Sequence, residues 1–339
     1  MIQALEVSPN GISASYFCDE DLSHIRLILE NIDVLILCRV SYTQEIDDMI
    51  WKARSRGILV LFDVDDLVFD SRYINLLVDS LDQDISNPKA WDSWFAYVTR
   101  LGRVLELCSG VIVTNPFLAD RARDFGVKQV AVVPNFLNRE QLDISGQIFE
   151  EKRRSGFARE DMFRIGYFSG TPTHNKDLQV AAAALERILD RHADIKVRLA
   201  GYMDPKKHFP RHHDRVEFIP FQNFVNLQCS VGECEINLAP LQDNLFTNCK
   251  SELKYFEAAV VGTVTVATPT FTLSSAIEDR CDGYLARAFE WESKLDEVIT
   301  AYESTNELSI RAQERCIERY GWSDQWGVIE EAISIFSVA

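Results

Sequence analysis

Short apolar runs and longer amphipathic stretches alternate along the chain, and the alternation starts twice. In the first series "DVLILCRV" (33–40), "GILVLFDVDD" (57–66), "GVIVTN" (110–115) and "QVAVVPN" (129–135) predict strands. Helical patterns over 41–56, 88–108 and 116–125 separate them. In the second series the strands are "RIGYFSG" (164–170), "KVRLAGY" (196–202), "VEFIPF" (216–221), "EINLAPL" (235–241) and "TVTVAT" (263–268). Their helices fall near 177–193, 222–231, 251–261 and 287–302. Strands this apolar are covered on both faces, and helical crossovers make the sheets parallel. The pattern therefore predicts an α/β protein of two doubly wound, Rossmann-like domains.

Apolar periodicity lapses over "VPNFLNREQLDISGQ" (133–147), which places the join there. The expected domains are 1–145 and 146–320. The last segment, 321–339, continues an amphipathic helical pattern broken at Gly321-Trp322 and is expected to pack back on the N-terminal domain.

Composition narrows the function classes. Among 339 residues, 47% are hydrophobic, enough to build real cores. The net charge of −17 argues against a nucleic-acid partner, whose binding needs cationic contacts to phosphates. The eight cysteines are scattered without a C-x-x-C, and no apolar run is long enough to span a bilayer. Together with an N-terminus unlike a secretion signal, this leads to an expected cytoplasmic location, with peripheral membrane contact left open. His208, His212 and His213 fall in the basic stretch "KKHFPRHHDR" and read as a surface loop rather than a metal site.

In parallel α/β sheets ligands sit at the carboxyl ends of strands. Two such loops carry suitable chemistry. In "YFSGTPTHNKDLQ", Gly170 allows close backbone approach, Thr171, Thr173 and Asn175 are loop and cap residues, and Lys176 stands at a helix start. No G-x-G-x-x-G is present, so a nicotinamide cofactor is poorly supported. In "PLQDNLFTNCKSELKYFE", Ser251 is the expected N-cap, with Lys250 beside it and Lys254 one turn on. Lys250, Lys254 and Glu257 would share one stripe of a helix, with Leu253, Phe256 and Val260 on the buried side. Glu257 then lies roughly 10 Å beyond Lys250 at 1.5 Å per residue. That span fits a nucleoside diphosphate, with phosphates at the lysines and ribose hydroxyls on the Glu257 carboxylate.

These segments resemble the retaining, nucleotide-sugar-dependent glycosyltransferases of family 4. "IGYFSGTPTHNKDL" is similar to that family's strand–Gly–Arg–x4–Lys loop, with Gly170 and Lys176 in register. "NLAPLQDNLFTNCKSELKYFEAAVVGTVTVAT" is similar to its E-x7-E segment and "EAxAxGxPVVAT" ending. "DGYLARAFEWESKLDEVI" and "RAQERCIERYGWSDQW" resemble its C-terminal close, while "VIVTNPFLAD" and "VAVVPNFLN" resemble segments leading to its hinge. Members similar to "DVDDLVFD" and "KSELK" build bacterial surface polysaccharides. The resemblance implies the GT-B fold, two doubly wound Rossmann-like domains facing each other across a cleft. The N-terminal domain would lie on the acceptor side and the C-terminal domain would bind the nucleotide sugar.

It also implies metal-independent transfer of a hexosyl or deoxyhexosyl group, with retention, from a UDP, GDP or dTDP sugar to a saccharide or glycolipid hydroxyl. Two departures stand out. Cys249 occupies the place of the family's first glutamate, and Thr171 that of its diphosphate-binding arginine. Lys250 and Lys254 then supply the positive charge, and Asp243, Asn244 or Asn248 would meet the donor sugar. The segment before "DVLILCRV" is short for the family, as in a module of a larger protein.

"FDVDDLVFD" (62–70) carries Asp63, Asp65, Asp66 and Asp70. A Mg²⁺ or Mn²⁺ site is one reading of these carboxylates. The preferred reading places Asp65 or Asp66 at the cleft, bonded to the acceptor hydroxyl or donor sugar. The expected catalytic groups are thus Lys176, Lys250, Asp65 and Asp66. The expected donor contacts are Gly170, Thr171, Lys176, Asp243, Asn248, Lys250, Ser251, Lys254 and Glu257. Two rivals are a non-catalytic glycosyltransferase-like scaffold, prompted by Cys249 and Thr171, and a nucleotide-sugar epimerase using His174.

Overall fold

The computed structural model describes residues 1–84, 86–158, 162–170 and 175–336. Ten strands are present among them: β1 (Val34–Cys38), β2 (Leu59–Val64), β3 (Gly110–Val113), β4 (Val130–Val132), β5 (Phe163–Phe168), β6 (Ile195–Ala200), β7 (Val216–Ile219), β8 (Ile236–Ala239), β9 (Val264–Ala267) and β10 (Tyr284–Leu285). They form two sheets. The first is four-stranded in the order β1-β2-β3-β4, and the second is six-stranded in the order β10-β9-β8-β5-β6-β7. Every strand pair is parallel.

The first sheet is wound in strict chain order. Its crossover helices Gln44–Ser55, Ile74–Ser80, Pro88–Leu107 and Pro116–Phe125 pack with Val60, Phe62, Val64, Val111 and Val113 in one core. The side chains that alternate with these, Leu61, Ile112 and Ala131, point to the opposite face. That face is covered by the two ends of the chain, the helices Ile2–Glu6 and Gln325–Ser334, through Leu5, Ile329, Ala332 and Phe336. The Phe336 ring lies so close to Gly110 that a Cβ there would come within 2.3 Å of it.

The second sheet reverses direction of growth at β5, which pairs with both β6 and β8. Ligand crevices in open α/β sheets form at such a reversal, beyond the carboxyl ends of the strands. Here the crevice is bounded by the segment after β5 and the segment after β8, the two stretches whose lysines the sequence singles out. Gly201 keeps this end compact. Its φ is +113°, and a Cβ would fall 2.0 Å from the Ser169 carbonyl oxygen.

One helix, Arg139–Arg154, runs through the stretch where the apolar pattern lapses. Asn138 and Gln141 cap it reciprocally, and it buries Gln141 and Ser145 alongside Phe149. Polar groups buried at these positions explain why no apolar stripe announces it. No described helix is long and apolar enough to cross a membrane.

Candidate active site

Helix Leu253–Ala259 is the spine of the crevice. It has seven residues, shorter than the sequence pattern predicts, and Glu252 precedes it without a side-chain cap. Ser251 is therefore not its N-cap; its hydroxyl instead accepts a 3.0 Å hydrogen bond from the Asn135 amide. Lys250 stands ahead of the helix rather than on its stripe. Leu253 is 38% exposed, so the buried side is carried by Tyr255, Phe256, Ala258 and Ala259. So short a helix has little dipole to offer, and positive charge at the crevice rests on the lysines.

Lys254 reaches the end of β5. Its ammonium donates to the Phe168 carbonyl and sits 5.0 Å from the Tyr167 ring centre. Burial pulls its pKa down to about 8, against the opposing pull of Glu257. Glu257, one turn on, accepts a 3.2 Å bond from Gln141. Burial pushes its carboxyl up to about 7, although Lys254 and Gln141 both favour the ionised form. The two side chains form a partly desolvated pair beside the end of β5. Among the described residues, a Cβ added at Gly170 would meet nothing within 4 Å. Thr171, Thr173 and His174 lie outside the described residues.

Lys250 and Lys176 face the N-terminal domain. The Lys250 ammonium is 3.4 Å from Asp66 and 4.7 Å from the Phe246 ring centre. Lys176 is 2.7 Å from Asp79, at the end of helix Ile74–Ser80. Asp65 and Asp66 follow β2 and both meet Arg39, at 3.0 and 3.9 Å. Arg39 also donates to the Tyr97 hydroxyl and has a φ of +48°, uncommon for a residue with a side chain. Asp70 does not join these carboxylates. It is 2% exposed and bound to Arg72, whose turn it caps. Among the described residues no group of three or more His, Cys, Asp or Glu is placed to hold a metal ion. His208 is buried against Asn175, and His212 pairs with Asp190.

The segment after β8 crosses into the N-terminal domain. Phe246 and Cys249 are 2% and 0% exposed and belong to that domain's core. Asn115 donates a 2.7 Å bond to the Cys249 carbonyl. Desolvation pushes the Cys249 thiol up to about 12, so it is neutral and shielded. Asn248 is fully engaged: it donates to Asn244 and Asp243 and accepts from the Phe271 amide. Its expected sugar contact would require breaking these bonds. Asp243 is exposed, with Asn248 as its partner.

Two further groups stand at this end of the sheet without a mark in the sequence pattern. Tyr202, just after β6, and Phe221, just after β7, stack with ring centres 5.8 Å apart while remaining 51% and 54% exposed. Asp79 was equally unmarked. An aromatic shortly after each of two adjacent predicted strands is the signal that could have found the first pair. Nothing local in the sequence marks Asp79, because its partner is 97 residues away.

Residues 163–304 match the family described as "Glycosyl transferases group 1". Solved structures share the fold over nearly the whole chain. HepE from Anabaena, in complex with UDP and glucose, is 13% identical with a TM-score of 0.60, covering 95% of this chain and 84% of that one. Sucrose-phosphate synthase from Thermosynechococcus elongatus is 16% identical with a TM-score of 0.63, covering 99% and 83%. A UDP-forming α,α-trehalose-phosphate synthase from Burkholderia xenovorans is 9% identical with a TM-score of 0.60, covering 96% and 81%. No curated protein matches the chain in sequence. The chain has the GT-B fold of glycosyltransferases, two Rossmann-like domains across a cleft, and its second sheet lies in a segment that matches the group 1 glycosyl transferases.

Proposed function

We propose that this protein transfers a hexosyl or deoxyhexosyl group from a nucleoside-diphosphate sugar to an acceptor hydroxyl, with retention and without a metal. The observation that carries the reading is the convergence of Lys254, Lys250 and Lys176 on the crevice where the second sheet reverses. As the bond from the anomeric carbon to the diphosphate breaks, negative charge grows on the leaving oxygens. Lysines held beside them in a partly dry site stabilise that charge. Glu257 in its ionised form accepts the two ribose hydroxyls and so sets the donor's position along the crevice. The exposed Tyr202–Phe221 pair offers a flat surface for the base. Arg39, Asp65 and Asp66 face the acceptor across the cleft, where the acceptor oxygen takes up the anomeric carbon and gives its proton to the departing diphosphate.

UDP is the nucleotide to test first, because HepE binds it. A saccharide or glycolipid acceptor, a role in polysaccharide or glycoconjugate synthesis and a cytoplasmic location complete the reading. The deciding experiment follows purified protein and UDP, GDP and dTDP sugars by NMR. Donor loss, by transfer or slow hydrolysis, with product of the donor's anomeric configuration is expected. A second reading, a non-catalytic scaffold, is favoured by one observation: Cys249, at the place of a sugar-binding carboxylate in the resembling family, is buried in the other domain's core. No turnover of any donor together with retained nucleotide binding would favour it.

A further inference from the structure

The end of helix Ile74–Ser80 lies over the crevice and is stitched to its rim. Asp79 pairs with Lys176 at 2.7 Å. The Ser80 carbonyl accepts a 3.1 Å bond from the Gln242 side chain, and its hydroxyl accepts one of 3.1 Å from Asn244. Gln242 is anchored in turn to the buried carboxylate of Asp177. On the other side, Asp66 meets Lys250 at 3.4 Å, with the two side chains 20% and 17% exposed. Both N-terminal carboxylates thus sit on crevice lysines of the opposite domain. The lysine-bearing segment cannot simply back away, because Phe246 and Cys249 fix it in the N-terminal core.

We propose that Asp66 and Asp79 are built-in stand-ins for the diphosphate, holding Lys250 and Lys176 until a ligand displaces them. This rests on the donor-site reading above. The diphosphate of a nucleotide sugar carries two negative charges, as many as the two carboxylates it replaces, and gathers them with several acceptor oxygens on one ligand. The cost is breaking two cross-domain ion pairs. Binding of the donor would therefore release Asp79 from Lys176 and Asp66 from Lys250, leaving the Ser80 bonds to Gln242 and Asn244 to hold the end of helix Ile74–Ser80.

The test is calorimetry on the full chain with two probes, inorganic pyrophosphate and UDP. Four forms are compared: wild type, Asp79→Asn, Asp66→Asn plus Asp79→Asn, and Asp120→Asn as a control. Asp120 is an exposed residue paired with Arg123, so its loss lowers the negative charge without touching a crevice lysine. We expect Asp79→Asn to tighten pyrophosphate about two- to fivefold, the range of an exposed ion pair, and the double variant to tighten it further. The control should stay close to wild type. A double variant no tighter than the control, or weaker than wild type, overturns the proposal. UDP binding with unchanged affinity in the variants would sink the stand-in role while leaving the donor site intact. Pyrophosphate binding that tightens as expected, with no binding of UDP, GDP or dTDP, would sink the donor reading and leave the stand-in role.

Discussion

The two sheets of this molecule are made of the same kind of strand, yet only one of them reverses its strand order. In the first, the order β1-β2-β3-β4 never reverses, so successive crossovers gather on one face and the other is left for the chain ends to cover. In the second, β5 is flanked by β6 on one side and β8 on the other, and the connections part there. The consequence is a division of labour. The first sheet depends on its terminal helix for burial, whereas the second is followed, after β5 and β8, by segments that carry Lys176, Lys250 and Lys254.

The largest test of this contrast concerns the terminal helix. Ile329 is fully buried against the first sheet, and Phe336 is 4% exposed beside Gly110. Ile329→Ala should cost about 2–5 kcal/mol, as for other large-to-small core changes. Thermal unfolding of the full chain would measure it. A loss below half a kcal/mol would mean that the helix does not substitute for missing crossovers. The equivalent perturbation of the second sheet is Gly201→Ala. Its Cβ would meet the Ser169 carbonyl, and φ of +113° is unsuited to alanine. Loss of nucleotide affinity larger than the loss of stability is expected, since the end of β5 must move.

At the crevice itself, Lys250→Ala should lower kcat by about 10²-fold, the scale of removing one preorganised charge partner. Donor KM should change far less. A rise in KM alone would assign Lys250 to ground-state binding instead.

The smallest effect is a pH dependence. The Glu257 carboxyl titrates near 7, above the ordinary carboxylate range, because burial disfavours its charge. Between the ordinary value and 7 the folded protein holds a proton that the unfolded chain has released, so Glu257 makes stability fall as pH rises through that window. Below it the carboxyl is protonated in both states and the term vanishes. Ribose binding needs the ionised form, so nucleotide affinity should rise with pH through about 7. Glu257→Gln should flatten both trends. An affinity profile with the same step in wild type and variant would remove Glu257 from the ribose role.

Much of the fold was legible because its signals are local. Nine of the strands follow from apolar runs in the chain, and only β10, two residues long, escapes. The helix Arg139–Arg154 escapes for a different reason: it buries glutamine and serine, so its periodicity is polar. The crevice was half legible. Lysines after strands could be read as residue types, and their positions at the reversal of the second sheet follow once strand order is known. Their partners could not be read. Lys250 meets a carboxylate 184 residues away, and Cys249 is enclosed by a core assembled from the other half of the chain. Ser251 does not cap, because capping depends on where a helix begins, and this helix begins at Leu253 with Glu252 before it.

The central claim is that a nucleoside diphosphate lies at the reversal point between β5 and β8. A crystal structure of the protein with bound UDP tests it most directly. The account predicts the two phosphates between Gly170 and the ammonium groups of Lys250 and Lys254, with the ribose at Glu257 and Asp79 released from Lys176. A nucleotide bound in any other place, with both cross-domain ion pairs intact, would contradict it.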